Sequence, residues 1–309
     1  MNTKTLAYIL KRLALAVLTV WIVATITFFL TRAVPGDPFL KEKALPQHAI
    51  DALKAKYGMD KPVVEQYVNY LKDVVTKFDF GPSLTKQGRA VNDIITDGMS
   101  VSIPLGLAAA GIATAIGVVL GSVAALRRNK IIDKVIMVVT TAFVSMPSFI
   151  VGALLLMVFS GMLGWFPANG AMDGGYVLPV ICLSLYPMAY ITRLTRSSML
   201  DVLGQDYIRT ARAKGVSGIK VIFGHALKNS LLPVITYLGP MLAYIVTGSL
   251  VVEQIFAVPG IGRAFVQSVL SRDYTLIMGT TIVLAALIVV MNLVSDIMYR
   301  VVDPRINLE

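Results

Sequence analysis

Six long apolar stretches alternate with polar segments along the chain. They cover about Leu13–Leu30, Val101–Leu126, Ile131–Phe159, Val177–Ile191, Leu231–Val252 and Leu276–Met298. A helix needs about 20 mostly apolar residues to cross the hydrocarbon core of a bilayer, because lipid offers no partner for an unpaired backbone amide. The pattern therefore predicts an all-α membrane protein with six transmembrane helices.

Prolines in the third and fourth stretches bear on their helices. Pro147 predicts a kink in the third stretch, and the fourth stretch is short and contains Pro179 and Pro187. Helix breakers at membrane depth are tolerated where protein or a water-filled cavity covers the freed carbonyl groups. Such prolines can serve helix packing or a transport pathway, and both alternatives stay open. The same alternatives hold for four polar side chains near the midplane, which are candidates for lining a cavity: Tyr186, Tyr190, Tyr244 and Asn292.

The longest polar segment, residues 32–100, has helical periodicity of its own. Apolar positions recur at helical spacing over about Ala44–Tyr57 and Val63–Phe78, and Phe80-Gly81-Pro82-Ser83 is typical of a turn. These features predict two short amphipathic helices packed on the membrane domain. A docking surface for an external partner is the alternative.

Composition and charge support a membrane protein and give its orientation. Of the 309 residues 56% are hydrophobic and 15% are charged, which is unlike a soluble domain. With six spans, the N-terminus, the 127–134 loop, the 193–230 loop and the C-terminus share one face, and the whole net charge of +10 lies there. The positive-inside rule makes that face cytoplasmic. We therefore predict an N-in/C-in topology and no nucleic-acid partner.

The chain lacks the sequence signatures of an enzyme. It has no phosphate-binding loop, no H-E-x-x-H and no G-x-S-x-G. Its single cysteine, Cys182, excludes an internal disulfide, and His48 and His225 have no metal-ligand spacing. We therefore predict no catalytic, metal or cofactor site in this chain. Ionisable groups near the spans are few, with Asp296 and Glu253 at span ends, which disfavours an ion-coupled secondary carrier.

The loop between the fourth and fifth stretches contains a predicted helix over Gln205–Lys214. Asp206 suits its first turn, Lys214 suits its last turn, and Gly215 fits a C-terminal cap. A second short helix is predicted over about Ile219–Lys228. Two helices that meet at a glycine form a compact knob for a cytoplasmic partner, whereas the alternative is an ordinary solvated basic loop.

This loop resembles the coupling-helix region of binding-protein-dependent ABC importer permeases. The sequence R-T-A-R-A-K-G at 209–215, followed by H-A-L-K-N at 225–229, matches the peptide/nickel branch of that family. Further resemblances occur in the same order along the chain, at Pro35-Gly36-Asp37-Pro38, Phe80-Gly81-Pro82-Ser83, Glu253–Gly262 and Asp303-Pro304-Arg305. The stretch Phe78–Ile94 is most similar to the first membrane subunit of the oligopeptide permeases within that branch.

The resemblance implies a type I ABC importer transmembrane fold and a permease subunit in the bacterial cytoplasmic (inner) membrane. It implies import of peptides, with oligopeptides as the expected substrate. The implied protein partners are a second homologous permease subunit, two cytoplasmic ATPases that bind ATP and Mg, and an external peptide-binding protein. The implied ATPase-coupling residues are Arg209, Thr210, Ala211, Arg212, Ala213 and Gly215. The expected organisation is an N-terminal helix (1–33), an external segment (34–93), the transmembrane domain (94–299, with its coupling loop at 203–229) and a cytoplasmic tail (300–309).

Other functions remain open on the sequence alone. An ion-coupled secondary carrier, a channel and a membrane-anchored signalling protein all fit six spans, although the last two leave the loop at 203–229 unexplained. Within the family, permeases for dipeptides, nickel and glutathione share most of the motifs.

Overall fold

A computed structural model describes residues 3–34, 39, 47–246 and 249–302. These residues form helices and loops, and the β-type pairing among them is one isolated bridge between Pro82 and Ala90. The α-helices are α1 (Thr3–Ala33), α2 (Gln47–Lys56), α3 (Val63–Lys77), α4 (Val91–Leu126), α5 (Ile131–Ser145), α6 (Ser148–Leu155), α7 (Val177–Leu203), α8 (Asp206–Ala213), α9 (Gly218–Lys220), α10 (Lys228–Ser230), α11 (Leu232–Val246), α12 (Leu250–Ile255), α13 (Ile261–Ser271) and α14 (Tyr274–Val302). Two π-helical segments, Leu156–Met162 and Val221–Leu227, continue α6 and α9. The prediction of an all-α chain is confirmed.

Four helices are long and apolar enough to cross a membrane. They are Lys11–Ala33 within α1, α4, α7 and Tyr274–Ser295 within α14. Two bent helix pairs, 131–145 with 148–162 and 218–230 with 232–245, pass the same test when each is taken as one span. The described residues thus contain four to six candidate spans. The inside location of both termini remains a prediction.

The third predicted span is broken at its proline. Helix α5 ends at Ser145, Met146 is extended, and Pro147 precedes the first turn of α6. The two helices meet at 106°. Proline has no backbone N–H and disfavours helical geometry in the residue before it, so the break falls where the sequence predicts a kink.

The fourth span was predicted to be short, and that prediction is wrong. Helix α7 has 27 residues, Val177–Leu203, and it continues through Pro187. Pro179 lies in its first turn, where backbone N–H groups have no intrahelical partner, so this proline breaks nothing. The second half of the helix is polar, so the apolar run stops near Ile191 although the helix continues.

The fifth span was predicted as one segment, Leu231–Val252, whereas the structure contains two helices. Helix α11 ends at Val246, and α12 begins after Ser249, whose side chain accepts a hydrogen bond from the backbone N–H of Val252 at 3.1 Å. Serine is a favoured N-cap because its oxygen pairs with an otherwise unpaired amide of the first turn. Glu253, expected at the outer end of a span, instead lies fully buried in α12.

The chain divides into two compact units. The first comprises residues 1–102 and 259–289, and the second comprises residues 103–258 and 290–309. In the first unit, α1, α3 and α14 share an apolar cluster that includes Phe28, Met278 and Ile282. A second cluster joins the start of α4 to α13 and α14. The helices α2 and α3 correspond to the two amphipathic helices predicted for residues 32–100.

A buried carboxylate joins distant segments of the first unit. Asp273 lies just before α14 and is fully buried. It accepts hydrogen bonds from the side chains of Ser83 and Thr85 and from the backbone N–H groups of Leu84 at 3.1 Å, Thr85 at 3.2 Å and Leu276 at 3.2 Å. Burial alone raises the pKa of Asp273, but these donors outweigh it and hold the pKa below its ordinary value. The carboxylate therefore caps α14 and fixes the loop that follows α3.

In the second unit, glycines allow α4 and α7 to approach closely. A Cβ atom at Gly121 would lie 2.5 Å from the carbonyl oxygen of Thr192 and 2.6 Å from Cβ of Thr195. A Cβ atom at Gly117 would lie 2.9 Å from the carbonyl oxygen of Met188. Small residues at membrane helix interfaces permit this backbone-to-backbone packing.

Some sequence predictions lie outside the described residues. These are the motifs Pro35-Gly36-Asp37-Pro38 and Asp303-Pro304-Arg305, the cytoplasmic tail beyond residue 302, and the side chain of Asp296.

Candidate functional site

Helix α8, in the loop after α7, ends in a complete Schellman motif. Gly215 has a left-handed backbone conformation with φ +77°. Its N–H donates to the carbonyl of Arg212 at 3.0 Å, and the N–H of Val216 donates to the carbonyl of Ala211 at 3.2 Å. Glycine adopts this conformation without the steric cost that a Cβ atom imposes. The glycine cap predicted from the sequence is confirmed.

One buried residue anchors α8 to the rest of the second unit. Ile208 is fully buried, and it belongs to a cluster with Ala125 of α4, Met199 of α7, and Val221 and Ala226 of the following helical segment. Residues 218–230 form that segment as α9, a π-helical stretch and α10 in succession. The Asn229 amide also donates to the Tyr207 hydroxyl at 2.8 Å. Helix α8 is therefore held against the ends of two candidate spans.

The opposite side of α8 is exposed. Of the six predicted coupling residues, Arg209, Thr210, Arg212, Ala213 and Gly215 are exposed and Ala211 is half-buried. Arg209 lies 3.6 Å from Asp206, but both side chains are largely in solvent, so this ion pair contributes little to stability. The structure thus places these residues together on one short, capped, basic helix.

A buried ion pair near this helix was not predicted from the sequence. The Arg196 guanidinium of α7 donates from Nε to Oδ1 of Asp133 at 2.6 Å and from Nη2 to Oδ2 at 2.7 Å. The Asp133 side chain is 4% exposed, and it also accepts the backbone N–H of Asn129 at 2.9 Å. Bidentate geometry makes this one of the stronger polar contacts available to a protein. The only signal in the sequence is an acidic residue in the first turn of an apolar helix.

The second unit also contains an apolar cavity beside the break between α5 and α6. Its volume is about 630 Å³. The wall includes three prolines, three tyrosines and two methionines: Pro147, Pro187, Pro240, Tyr186, Tyr237, Tyr244, Met146 and Met241. None of the lining residues that the structure describes carries a charge. The break in the third candidate span therefore opens onto a neutral, aromatic space.

The four midplane candidates lie in different places. Tyr186 and Tyr244 line the cavity. The ring of Tyr190 instead packs on the ring of Tyr237, with 4.4 Å between the centroids. Asn292 is exposed on α14 and does not belong to the cavity wall.

The cavity wall contains Cys182 but no metal site. The thiol donates to the carbonyl of Ser148 at 3.6 Å and is buried, as expected for a structural cysteine. Over the described residues there is no group of histidine, cysteine and carboxylate side chains able to hold a metal ion. His48 and His225 are both exposed.

Two family models match the chain. Residues 117–308 match the model described as "Binding-protein-dependent transport system inner membrane component". Residues 5–101 match its companion, the N-terminal part of the same membrane components. The chain belongs to this family. The resemblance found in the coupling loop is therefore confirmed, and the alternatives of an ion-coupled carrier, a channel and an anchored signalling protein are not supported.

Members of the family are similar over nearly the full length. The dipeptide transport system permease protein DppB of Bacillus subtilis is 46% identical, and the alignment covers 97% of this chain and 98% of that protein. The oligopeptide transport system permease protein OppB of Haemophilus influenzae is 43% identical, covering 98% and 99%. OppB of Escherichia coli K12 is 42% identical over the same shares.

Solved structures support the fold. The MetNI methionine ABC transporter in inward-facing conformations aligns with a TM-score of 0.54 and 16% identity, covering 68% of this chain and 97% of that chain. An amino acid ABC transporter crystallised with histidines aligns with a TM-score of 0.53 and 15% identity, covering 68% and 94%. The fold is that of a type I ABC transporter membrane subunit.

Proposed function

We propose that this chain is a permease subunit of a peptide importer in the bacterial cytoplasmic membrane. A second, homologous permease subunit completes the pathway, and an external binding protein delivers the peptide. Two cytoplasmic ATPases bind ATP and Mg and hydrolyse the ATP, so this chain needs no cofactor of its own. The observation that carries the proposal is the capped, exposed helix α8 in a chain so similar to named peptide permeases.

We propose helix α8 as the contact for an ATPase. Its exposed side carries Arg209 and Arg212, which suit an acidic groove, and its small side chains at 210 and 213 permit close approach. Its buried side carries Ile208, which packs with Ala125 of α4 and Met199 of α7, and the half-buried Ala211 packs against the same cluster. A displacement of α8 by a bound ATPase therefore also displaces the ends of α4 and α7, because the buried side of α8 packs on both helices.

Helix α7 connects this contact to the cavity. Met199, in its last turns, packs with Ile208, whereas Cys182 and Pro187, earlier in the same helix, line the cavity. Twelve residues of helix separate Pro187 from Met199, about 18 Å. The ion pair to Asp133 ties α5 to the same helix, so α5 and α7 move together. We propose that ATP-driven movement of α8 tilts this pair and changes access to the cavity.

The neutral cavity wall suits peptides of varied sequence. Tyrosine hydroxyls offer hydrogen bonds to backbone amides, and the absence of lining charges among the described residues imposes no preference for one side-chain charge. Selection by sequence then falls to the external binding protein.

Replacing Gly215 by valine is expected to uncouple transport. A β-branched residue in the left-handed region costs about 1–3 kcal/mol, and the cap of α8 loosens as a result. An added Cβ atom at Gly215 meets no other atom within 4 Å, so the chain still folds and inserts. The measurement is ATP-dependent peptide uptake, normalised to inserted protein, and a several-fold loss is expected.

The matched control for this substitution is Gly218→Val. Gly218 is also exposed with nothing within 4 Å of an added Cβ atom, but its φ lies outside the left-handed region. Uptake by this control should stay near that of the unaltered protein. Full uptake by an inserted Gly215→Val protein would show that the glycine cap has no role in coupling.

Reversing the charge of Arg209 and Arg212 together, to glutamate, is expected to reduce recovery of the ATPases with the extracted complex. Two acidic side chains on the exposed face of α8 repel an acidic groove. Arg127→Glu is the control, because Arg127 is exposed on the same predicted membrane face but in another loop. Equal recovery from both proteins would assign the contact to other residues.

We propose oligopeptides as the substrates, on the similarity of Phe78–Ile94 to oligopeptide permeases. The B. subtilis relative named for dipeptides supports a second candidate. Uptake of labelled di-, tri-, tetra- and pentapeptides, with nickel and glutathione in parallel, separates the two. We expect uptake that extends to the longer peptides, whereas uptake of dipeptides alone would favour the second candidate. Uptake of nickel or glutathione alone would contradict both.

A further inference from the structure

Helix α3 carries a stripe of largely exposed apolar side chains. Val64, Val68 and Val75 are 67%, 55% and 72% exposed, and Phe78, which follows the last turn, is 77% exposed. The spacing of the three valines places them along one side of the helix, and Leu71, between Val68 and Val75 on that side, packs in the apolar cluster of α1 and α14. An exposed stripe of this kind marks a surface that is covered by something in the working protein.

The other sides of α3 are accounted for. Tyr67, Tyr70 and Leu71 pack in the apolar cluster of α1 and α14. On the polar side, exposed ion pairs join Lys61 to Glu65 and Asp73 to Lys77 at 2.8 Å. Helix α3 is thus apolar over one broad side, part of which packs within the protein and part of which is exposed, and it is charged over the rest.

Contacts between α3 and α1 give the depth of this helix. The Tyr67 hydroxyl lies 2.6 Å from Oγ1 of Thr25, and the Tyr67 ring packs on the rings of Phe28 and Phe29 with centroid distances of 5.2 and 5.5 Å. The candidate span in α1 ends at Ala33. These contacts lie four to eight residues, about 6–12 Å along the helix axis, before the end of the candidate span, so this side of α3 lies beside its final turns.

Beside α3, the final turns of α1 also expose apolar side chains. The α1 side chains Ile26, Phe29 and Leu30 are 54%, 44% and 58% exposed within a highly apolar span. Phe29 contacts Tyr67, and Val64 and Val68 flank Tyr67 on α3. An apolar helix side beside a span, with charged residues on its far side, is the pattern of a helix that lies in the membrane interface.

We propose that α3 is an interfacial membrane helix whose apolar stripe contacts the acyl chains of the lipid leaflet around the end of α1. The contact needs no other protein subunit. It holds the segment that follows α1 against the membrane surface, and it is independent of the transported substrate.

Photo-crosslinking in intact cells tests this assignment. A benzophenone amino acid is placed at Val68, at Val75 or, as the control, at Lys72, which is exposed on the charged side of α3. Cells are grown with alkyne-tagged fatty acids so that their phospholipids carry the tag. After irradiation, the chain is isolated under denaturing conditions and its covalently attached alkyne is measured.

We expect several-fold more lipid attached at positions 68 and 75 than at position 72. A protein adduct of higher mass at 68 or 75 would overturn the proposal, because a second permease subunit or an external protein then covers the stripe. Equal or negligible lipid attachment at all three positions would also overturn it, because the stripe then faces water. All three positions are exposed, so the substitutions leave the packing of α3 intact.

Discussion

Replacing Gly121 by leucine is expected to prevent the folded chain from accumulating in the membrane. A Cβ atom at this position would lie 2.5 Å from a backbone carbonyl oxygen of α7 and 3.1 Å from the backbone nitrogen of Arg196. Backbone atoms cannot rotate away as side-chain ends do, so α4 and α7 have to separate. The cost lies at or above the upper end of the roughly 1–3 kcal/mol that overpacking usually imposes.

Gly111→Leu is the matched control for this substitution. Gly111 lies in the same helix, and an added Cβ atom there meets nothing within 4 Å. Membrane-inserted protein is measured by fractionation, and its unfolding temperature is measured in detergent. Gly121→Leu protein that accumulates and melts like Gly111→Leu protein would contradict the close approach of the two helices.

Replacing Arg196 by methionine is expected to destabilise the second unit by about 1–3 kcal/mol, because the Asp133 carboxylate loses its bidentate partner and keeps only the backbone N–H of Asn129 as a hydrogen-bond donor. Peptide uptake should fall with stability, since α5 is no longer tied to α7. The measurement is the unfolding temperature of the purified complex together with uptake in proteoliposomes.

Two further variants separate the ion pair from general loss of charge. Arg193→Met removes an exposed arginine one turn earlier in α7 and should have little effect. Asp133→Leu combined with Arg196→Met removes both charges and should recover much of the lost stability, because no unpaired charge stays buried. A double variant as unstable as Arg196→Met would show that the side chain of Arg196 matters for another reason.

Much of the helical architecture can be predicted from local features of the sequence. The break at Pro147 and the cap at Gly215 were placed correctly, because proline alone lacks a backbone N–H and glycine adopts the left-handed conformation without steric cost. The end of α7 was missed because hydropathy reports on lipid contact and not on helix continuity. Its polar half, which includes Arg193 and Arg196, stays helical beyond the apolar run.

The pairing of residues across the chain could not be predicted in this way. Asp133 and Arg196 are 63 positions apart, and Asp273 accepts hydrogen bonds from residues nearly 190 positions earlier. A single sequence does not indicate which charged residues will pair in the folded chain. The proposed coupling residues were identified through resemblance to a family, whereas Ile208, which packs their helix against the second unit, is an ordinary apolar residue until its burial is known.

The right-angled break beside the cavity has a consequence for solvation. The last turn of α5 leaves carbonyl oxygens without helical partners, and Pro147 has no N–H to offer them. In hydrocarbon such groups would be too costly to leave bare. We therefore expect water to enter this corner of the cavity and pair with the polar backbone. Under the proposed function, a peptide in the cavity would then find hydrogen-bonding partners and would not enter an oil-like medium.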